Sequence, residues 1–106
     1  MAGEPFDKRP GKIWYDGQLV PWENANLHVL SHGLHYASAV FEGERAYGGE
    51  IFKCTEHSER LKKSAEMLDF EIPYSVAQID EAKKLVLSTN GQKDAYVRPI
   101  AWRGSE

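Results

Sequence analysis

Two short runs carry the side chains best suited to holding a small anion. If Phe41-Glu42-Gly43-Glu44-Arg45 is extended, Phe41, Gly43 and Arg45 face one way; in Tyr96-Val97-Arg98, Tyr96 and Arg98 do the same. Guanidinium groups hold carboxylates or phosphates through paired N–H donors, a phenol adds a further polar contact, and Gly43 leaves a gap between aromatic walls. Such a surface fits a small anionic ligand with an apolar part, with ordinary surface arginines and core aromatics as the competing explanation. Glu42 and Glu44 occupy the opposite strand face. They read as a solvated or strand-edge pair, because acidic side chains are mostly found at surfaces.

The histidines offer a second candidate. His28, His32 and His35 lie close together in sequence and His57 stands apart. Their spacings of four and three share one face only in a helix, and zinc would need further converging ligands that a single cysteine does not supply. Structural histidines lead, with a metal centre or a place beside a ligand left open. No G-x-S-x-G nucleophile elbow, P-loop or G-x-G-x-x-G is present.

The elements that must position these residues can be read in order. Residues 1–11 mix proline, glycine and charge and read as a flexible tail. Asp16-Gly17 between Ile13-Trp14-Tyr15 and Gln18-Leu19-Val20 predicts a tight hairpin, ended by Pro21. After an irregular segment, a second hairpin runs from Ala39 to Phe52, turning at Gly48-Gly49. Thr55 is expected to cap a helix whose Leu61, Ala65 and Leu68 form one face and which stops before Pro73. Ser75 and Gln78 predict a capping box for the next helix, with Ile79, Ala82 and Val86 on its apolar face and Asn90-Gly91 at its end. Ala95 to Trp102 predicts a closing strand, in which Pro99 removes a ladder donor and implies an edge or a bulge. Hairpins followed by clustered helices predict an α+β class, an antiparallel sheet with two main helices on one side.

Composition limits the rest. At 106 residues the chain holds one domain, and its net charge of −3, spread evenly, disfavours an electrostatic nucleic-acid binder. Cys54 has no partner for an internal disulfide, and no apolar run approaches the ~18 residues of a membrane span. With no signal-peptide core at its start, the chain is expected to be soluble and cytoplasmic.

Five ordered blocks carry a family resemblance over roughly residues 12–106: Ile13-Trp14-Tyr15-Asp16-Gly17 with Leu19-Val20 and Trp22; Ser31-His32-Gly33-Leu34-His35-Tyr36; Val40 to Tyr47; His57-Ser58-Glu59-Arg60-Leu61; and Ala95 to Pro99. The chain resembles the N-terminal part of branched-chain amino-acid aminotransferases, class IV pyridoxal-phosphate enzymes of fold type IV. Other class IV enzymes, such as D-amino-acid aminotransferases and aminodeoxychorismate lyases, share some of these blocks. They are the alternative, together with a non-catalytic stand-alone binding domain.

The resemblance implies roles residue by residue. Arg60 would hold the cofactor phosphate. Phe41 would wall the hydrophobic pocket, Gly43 would leave room for substrate, Tyr96 would bond its α-carboxylate, and Arg98 would reach the distal carboxylate of glutamate. Arg45 would support carboxylate binding and Tyr36 would project into a neighbouring subunit's site. Implied partners are branched-chain amino acids, 2-oxoglutarate or glutamate, a second copy in a homo-oligomer, and a C-terminal domain carrying the Schiff-base lysine. None of Lys8, Lys12, Lys53, Lys62, Lys63, Lys83, Lys84 and Lys93 matches that lysine, and most are expected on the tail or on solvated helix faces. The chain therefore reads as an N-terminal small domain, residues 12–106, inactive alone because transamination needs the lysine as carrier and base.

Overall fold

The computed structural model describes residues 5–105, and its first ordered unit is the expected hairpin. β1 (Lys12–Tyr15) and β2 (Gln18–Pro21) pair antiparallel with Ile13 opposite Val20. Asp16 and Gly17 both take positive φ, 46° and 96°, which lets a two-residue turn follow the right-handed strand twist. Side chains from elsewhere fasten both ends of the hairpin. Tyr74 Oη donates to Asp16 Oδ1 at 2.8 Å, and Asn90 accepts from the Lys12 N–H at 2.8 Å while donating to the Lys12 carbonyl at 2.9 Å. Of the expected tail, residues 1–4 lie outside the described residues; further on, the Trp22 indole donates to the Phe6 carbonyl.

The irregular segment holds a 3-10 turn at Trp22–Asn24 and a short helix, α1 (His32–Tyr36), closed by Ala37 in the left-handed region. Backbone bonds from His32 to Gly104 and from Gly33 to Arg103, both 2.9 Å, tie α1 to the last described residues.

The two long strands expected from the sequence are each interrupted. β3 (Ala39–Phe41) and β4 (Glu44–Tyr47) flank Glu42-Gly43, while β6 (Ala95–Val97) and β7 (Ile100–Trp102) flank Arg98-Pro99. β3 pairs with β7 and β4 with β6, both antiparallel. Phe41 stands opposite Ile100 and Glu44 opposite Val97, a step of three residues on each strand, so no residue is inserted. Of the two expectations at Pro99 the bulge is absent and the edge holds, since β6 and β7 each lie at the edge of a sheet. Pro99 has no N–H to donate, yet its carbonyl accepts from Glu42 N–H at 3.1 Å, which carries the pairing across the gap. Gly48-Gly49 turns β4 into β5 (Glu50–Ile51), giving a three-stranded sheet in the order β5-β4-β6.

α2 (Cys54–Met67) starts one residue before the expected cap. Lys53, at φ 54°, is its N-cap, and Thr55 lies inside the first turn with its hydroxyl 2.7 Å from Asp80 Oδ2. Asp69 takes φ 61° beyond the helix end, and the Asp69 and Phe70 amides bond back to the Glu66 and Ala65 carbonyls. Leu68, expected on the buried face, is exposed as a result of this turn out of the helix. α3 (Val76–Thr89) has the expected capping box, and Gly91 at φ 65° closes it through Gly91 and Gln92 amides to Ser88 and Leu87.

α2 and α3 pack against each other and over the inner face of the strands. Leu61, Ala65, Ile72 and Ile79 make one buried cluster, flanked by Val40, Phe70, Tyr74 and Ala101; Ala46, Leu87 and Val97 make a second. The class is α+β as expected, with its antiparallel pairing divided among three small sheets. No helix among the described residues is long and apolar enough to cross a membrane.

Candidate functional site

The inner strand face is filled by Glu42, Glu44 and Ala46, so alternation turns Phe41, Gly43 and Arg45 outward. Arg45 stands opposite Tyr96 in the ladder, and the same register puts Gly43 opposite Arg98. The Arg98 guanidinium lies 4.2 Å above the Phe41 ring centre, and its Nε donates to Tyr96 Oη at 3.1 Å. Gly43 leaves room here: a Cβ would meet Tyr96 Oη at 2.9 Å and force the ring to shift. Phe41 and Tyr96 stay half exposed, and neither Arg45 nor Arg98 belongs to an ion pair among the described residues. Two cations, a phenol and an aromatic wall thus share an open face that can take a carboxylate attached to an apolar chain.

Arg60 lies on the other side of the same strand segment. Its Nε and Nη2 grip the Glu42 carboxylate at 2.9 and 2.7 Å, and His57 Nδ1 donates to Glu42 Oε1 at 2.6 Å. Glu42 is 6% exposed, whereas the Arg60 side chain is 67% exposed. The Arg60 hydrogen bond, working against burial, holds the Glu42 carboxyl below its ordinary value. Tyr36 stands apart from the outward cluster, 73% exposed on α1, with its ring against His32 and His35.

Glu42 and Glu44 correct the expectation of a solvated pair. Both are buried, because their strand face is the one that the helices cover. Glu44 Oε1 receives Lys83 Nζ at 2.8 Å, Lys83 also donates to the Cys54 carbonyl at 3.0 Å, and Glu44 Oε2 has no partner among the described residues. Burial pushes the Glu44 carboxyl above its ordinary value, against the pull of Lys83. Lys83 is thus a core residue and not on a solvated helix face. Its position four residues from both Ile79 and Leu87, the buried stripe of α3, was the available signal.

Asp80 belongs to none of the sequence motifs. It accepts from Thr55, Ser58 and Cys54, tying the first turn of α2 to α3. Burial alone would raise its pKa, but the Ser58, Thr55 and Cys54 donors outweigh that and hold it low. The histidines are used singly: His28 accepts from the Leu30 amide, His32 meets Ser38 Oγ at 2.6 Å, and His35 donates to the Val29 carbonyl at 2.7 Å. Among the described residues no group of three or more His, Cys, Asp or Glu side chains could hold a metal ion.

An α+β frame that presents two arginines, a tyrosine and a glycine gap on one strand pair matches a known class. The chain belongs to the amino-transferase class IV family, whose model matches residues 39–106. A probable branched-chain-amino-acid aminotransferase of Rickettsia felis is 55% identical over 94 residues, which span 89% of this chain and 32% of the relative. The branched-chain-amino-acid aminotransferase of Pseudomonas aeruginosa is 47% identical over 102 residues, 92% of this chain and 33% of the relative. The solved structure of a T.th. branched-chain amino acid aminotransferase complexed with N-(5'-phosphopyridoxyl)-L-glutamate matches with a TM-score of 0.87 and 44% identity, covering 92% of this chain and 35% of that one. The Escherichia coli enzyme matches with a TM-score of 0.86 and 38% identity, over 91% of this chain and 33% of its own. The chain spans about a third of the length of the relatives it matches. The resemblance drawn from the sequence motifs therefore holds for family and fold.

Proposed function

We propose that this chain is the part of a branched-chain amino-acid aminotransferase that contacts substrate and the cofactor phosphate, in an enzyme exchanging the amino group between leucine, isoleucine or valine and 2-oxoglutarate. The observation that carries this reading is the outward cluster, where Arg98 lies over Phe41 and donates to Tyr96 without being neutralised by a carboxylate among the described residues. One face must take an aliphatic side chain and, alternately, a second carboxylate. Phe41 provides the apolar wall, Arg98 at its rim answers the distal carboxylate of glutamate, and Tyr96 orients the α-carboxylate. Gly43 leaves the space between them, with Arg45 adding positive charge opposite Tyr96. Tyr36 is free to reach a second copy in a homo-oligomer.

Pyridoxal 5'-phosphate, when bound, supplies the carbonyl and electron sink through which the amino group is exchanged. Arg60 fits its phosphate: Glu42 engages only Nε and Nη2, so Nη1 stays outside that contact on an exposed side chain. The carrier lysine is assigned to a further segment of the enzyme, as the family resemblance implies; Lys83, the one buried lysine among the described residues, is committed to Glu44.

Arg98→Ala in the full-length protein tests the assignment. Glutamate turnover is expected to fall more than leucine turnover, and equal losses for the two substrates would overturn it. The 106-residue chain alone is expected to show no transamination of leucine with 2-oxoglutarate, and measurable turnover would refute the division of labour.

A further inference from the structure

We propose that Glu42 is a positioning residue, fixing the Arg60 guanidinium for a phosphate ester and tying that anchor to the substrate face. The inference rests on the assignment of Arg60 to the cofactor phosphate. An exposed arginine ordinarily samples many rotamers, and most of that freedom must be lost before its planar fork can meet a phosphate. Here the inner edge of the fork is clamped by a buried carboxylate, with Nε 3.1 and 2.9 Å from the two oxygens and Nη2 2.7 Å from Oε1. His57, three residues before Arg60 on α2, donates to the same carboxylate at Oε1, 2.6 Å away.

The placement of Glu42 adds a second consequence. Its neighbours in the chain, Phe41 and Gly43, point to the outer face, and its own N–H bonds Pro99, next to Arg98. One peptide segment therefore sets the position of the aromatic wall, the glycine gap and the arginine that would hold the phosphate. The carboxylate also carries a charge of the same sign as a phosphate, so removing it acts in two opposed ways. Loss of orientation weakens phosphate binding, and loss of repulsion strengthens it. The short range of the clamp and the solvent around the outer end of Arg60 make orientation the larger effect.

The test compares pyridoxal 5'-phosphate with pyridoxal, which lacks the phosphate, as ligands of the full-length apoprotein, followed by the absorbance of the bound cofactor. Glu42→Gln is expected to weaken pyridoxal 5'-phosphate binding by about 10–100-fold, the loss seen when a partner that orients a metal ligand is removed. Pyridoxal binding is expected to change less than about twofold, because no phosphate is there to be oriented. In an Arg60→Ala background, Glu42→Gln should have no further effect. If Glu42→Gln precipitates, Glu42→Asp, which withdraws the carboxylate by one methylene, should show the same phosphate-selective loss. Equal losses for both ligands, or unchanged or tighter phosphate binding, overturn the proposal. If Arg60→Ala itself leaves pyridoxal 5'-phosphate affinity unchanged, the assignment of Arg60 fails, which separates that failure from failure of Glu42 alone.

Discussion

Replacing Lys83 with methionine should expose the cost of the buried ion pair and make it depend on pH in a definite direction. Lys83 Nζ lies 2.8 Å from Glu44 Oε1, with the two side chains 4% and 0% exposed. Methionine preserves much of the stem and removes the ammonium, leaving Glu44 without its only side-chain donor among the described residues. Breaking a buried pair by deleting one partner costs about 3–5 kcal/mol, a large part of the ~5–15 kcal/mol that holds a domain folded. Glu44 can relieve this by taking a proton, and burial already pushes its carboxyl above the ordinary value of 4.5. A folded pKa above the unfolded one means the stability of the variant is fully present below the unfolded value. It is lost as pH rises through the folded value, by about 1.4 kcal/mol per pH unit between the two. Glu44 is already raised in the wild type, so the additional rise on losing Lys83 is what counts, and the deficit relative to wild type should grow from pH 5 to pH 8. Urea unfolding at both pH values, followed by the fluorescence of Trp14, Trp22 and Trp102, measures it. A deficit under about 1 kcal/mol at pH 8, or one independent of pH, would refute the account. Pairing Lys83→Met with Glu44→Leu removes both charges and should recover most of the loss; simple additivity would refute the coupling.

Three further outcomes follow from particular contacts. Gly43→Ala places a methyl group 2.9 Å from Tyr96 Oη, so the ring must move and its 3.1 Å bond from Arg98 is lost. In the full-length enzyme KM for both leucine and glutamate should rise about tenfold or more, and an unchanged KM would show that the gap is not used. Ser75→Ala removes the capping box and should cost about 1 kcal/mol in thermal unfolding, whereas Ser75→Gly should cost only a few tenths; equal costs would refute the cap. Asp80 is held below its ordinary value of 3.8, so its contribution is present above that value and is lost as pH falls through the folded pKa. Asp80→Asn should be less stable at pH 7 but lose less on acidification below about pH 4, and parallel acid curves would refute this.

What was legible in the sequence is what short-range chemistry decides. Asp16-Gly17, Gly48-Gly49 and the Ser75-Gln78 box depend on a few neighbouring residues, and each forms as expected. The shared direction of Phe41, Gly43 and Arg45 follows from strand alternation alone. Which strand face meets the helices does not follow, because neither face is uniformly apolar. Glu42 and Glu44 are admitted to the interior only because Arg60, His57 and Lys83 meet them there, contacts across 15 to 39 residues that no local pattern encodes. The left-handed cap at Lys53 is similar: Thr55 is a better capping residue in isolation, but its hydroxyl is drawn to Asp80 on the neighbouring helix.

The unbroken register across Glu42-Gly43 and Arg98-Pro99 limits how this surface can diversify. Because side chains alternate with a period of two, deleting or adding a single residue between Ala39 and Tyr47 would exchange the two faces beyond that point. Acidic groups would then enter the ligand face while an arginine and an aromatic ring were driven among the helices. Substitutions can retune Phe41, Gly43 or Arg98 one at a time, but a change in length cannot be absorbed locally. Descendants of this strand pair should therefore differ in composition while keeping its length, with insertions confined to segments outside it.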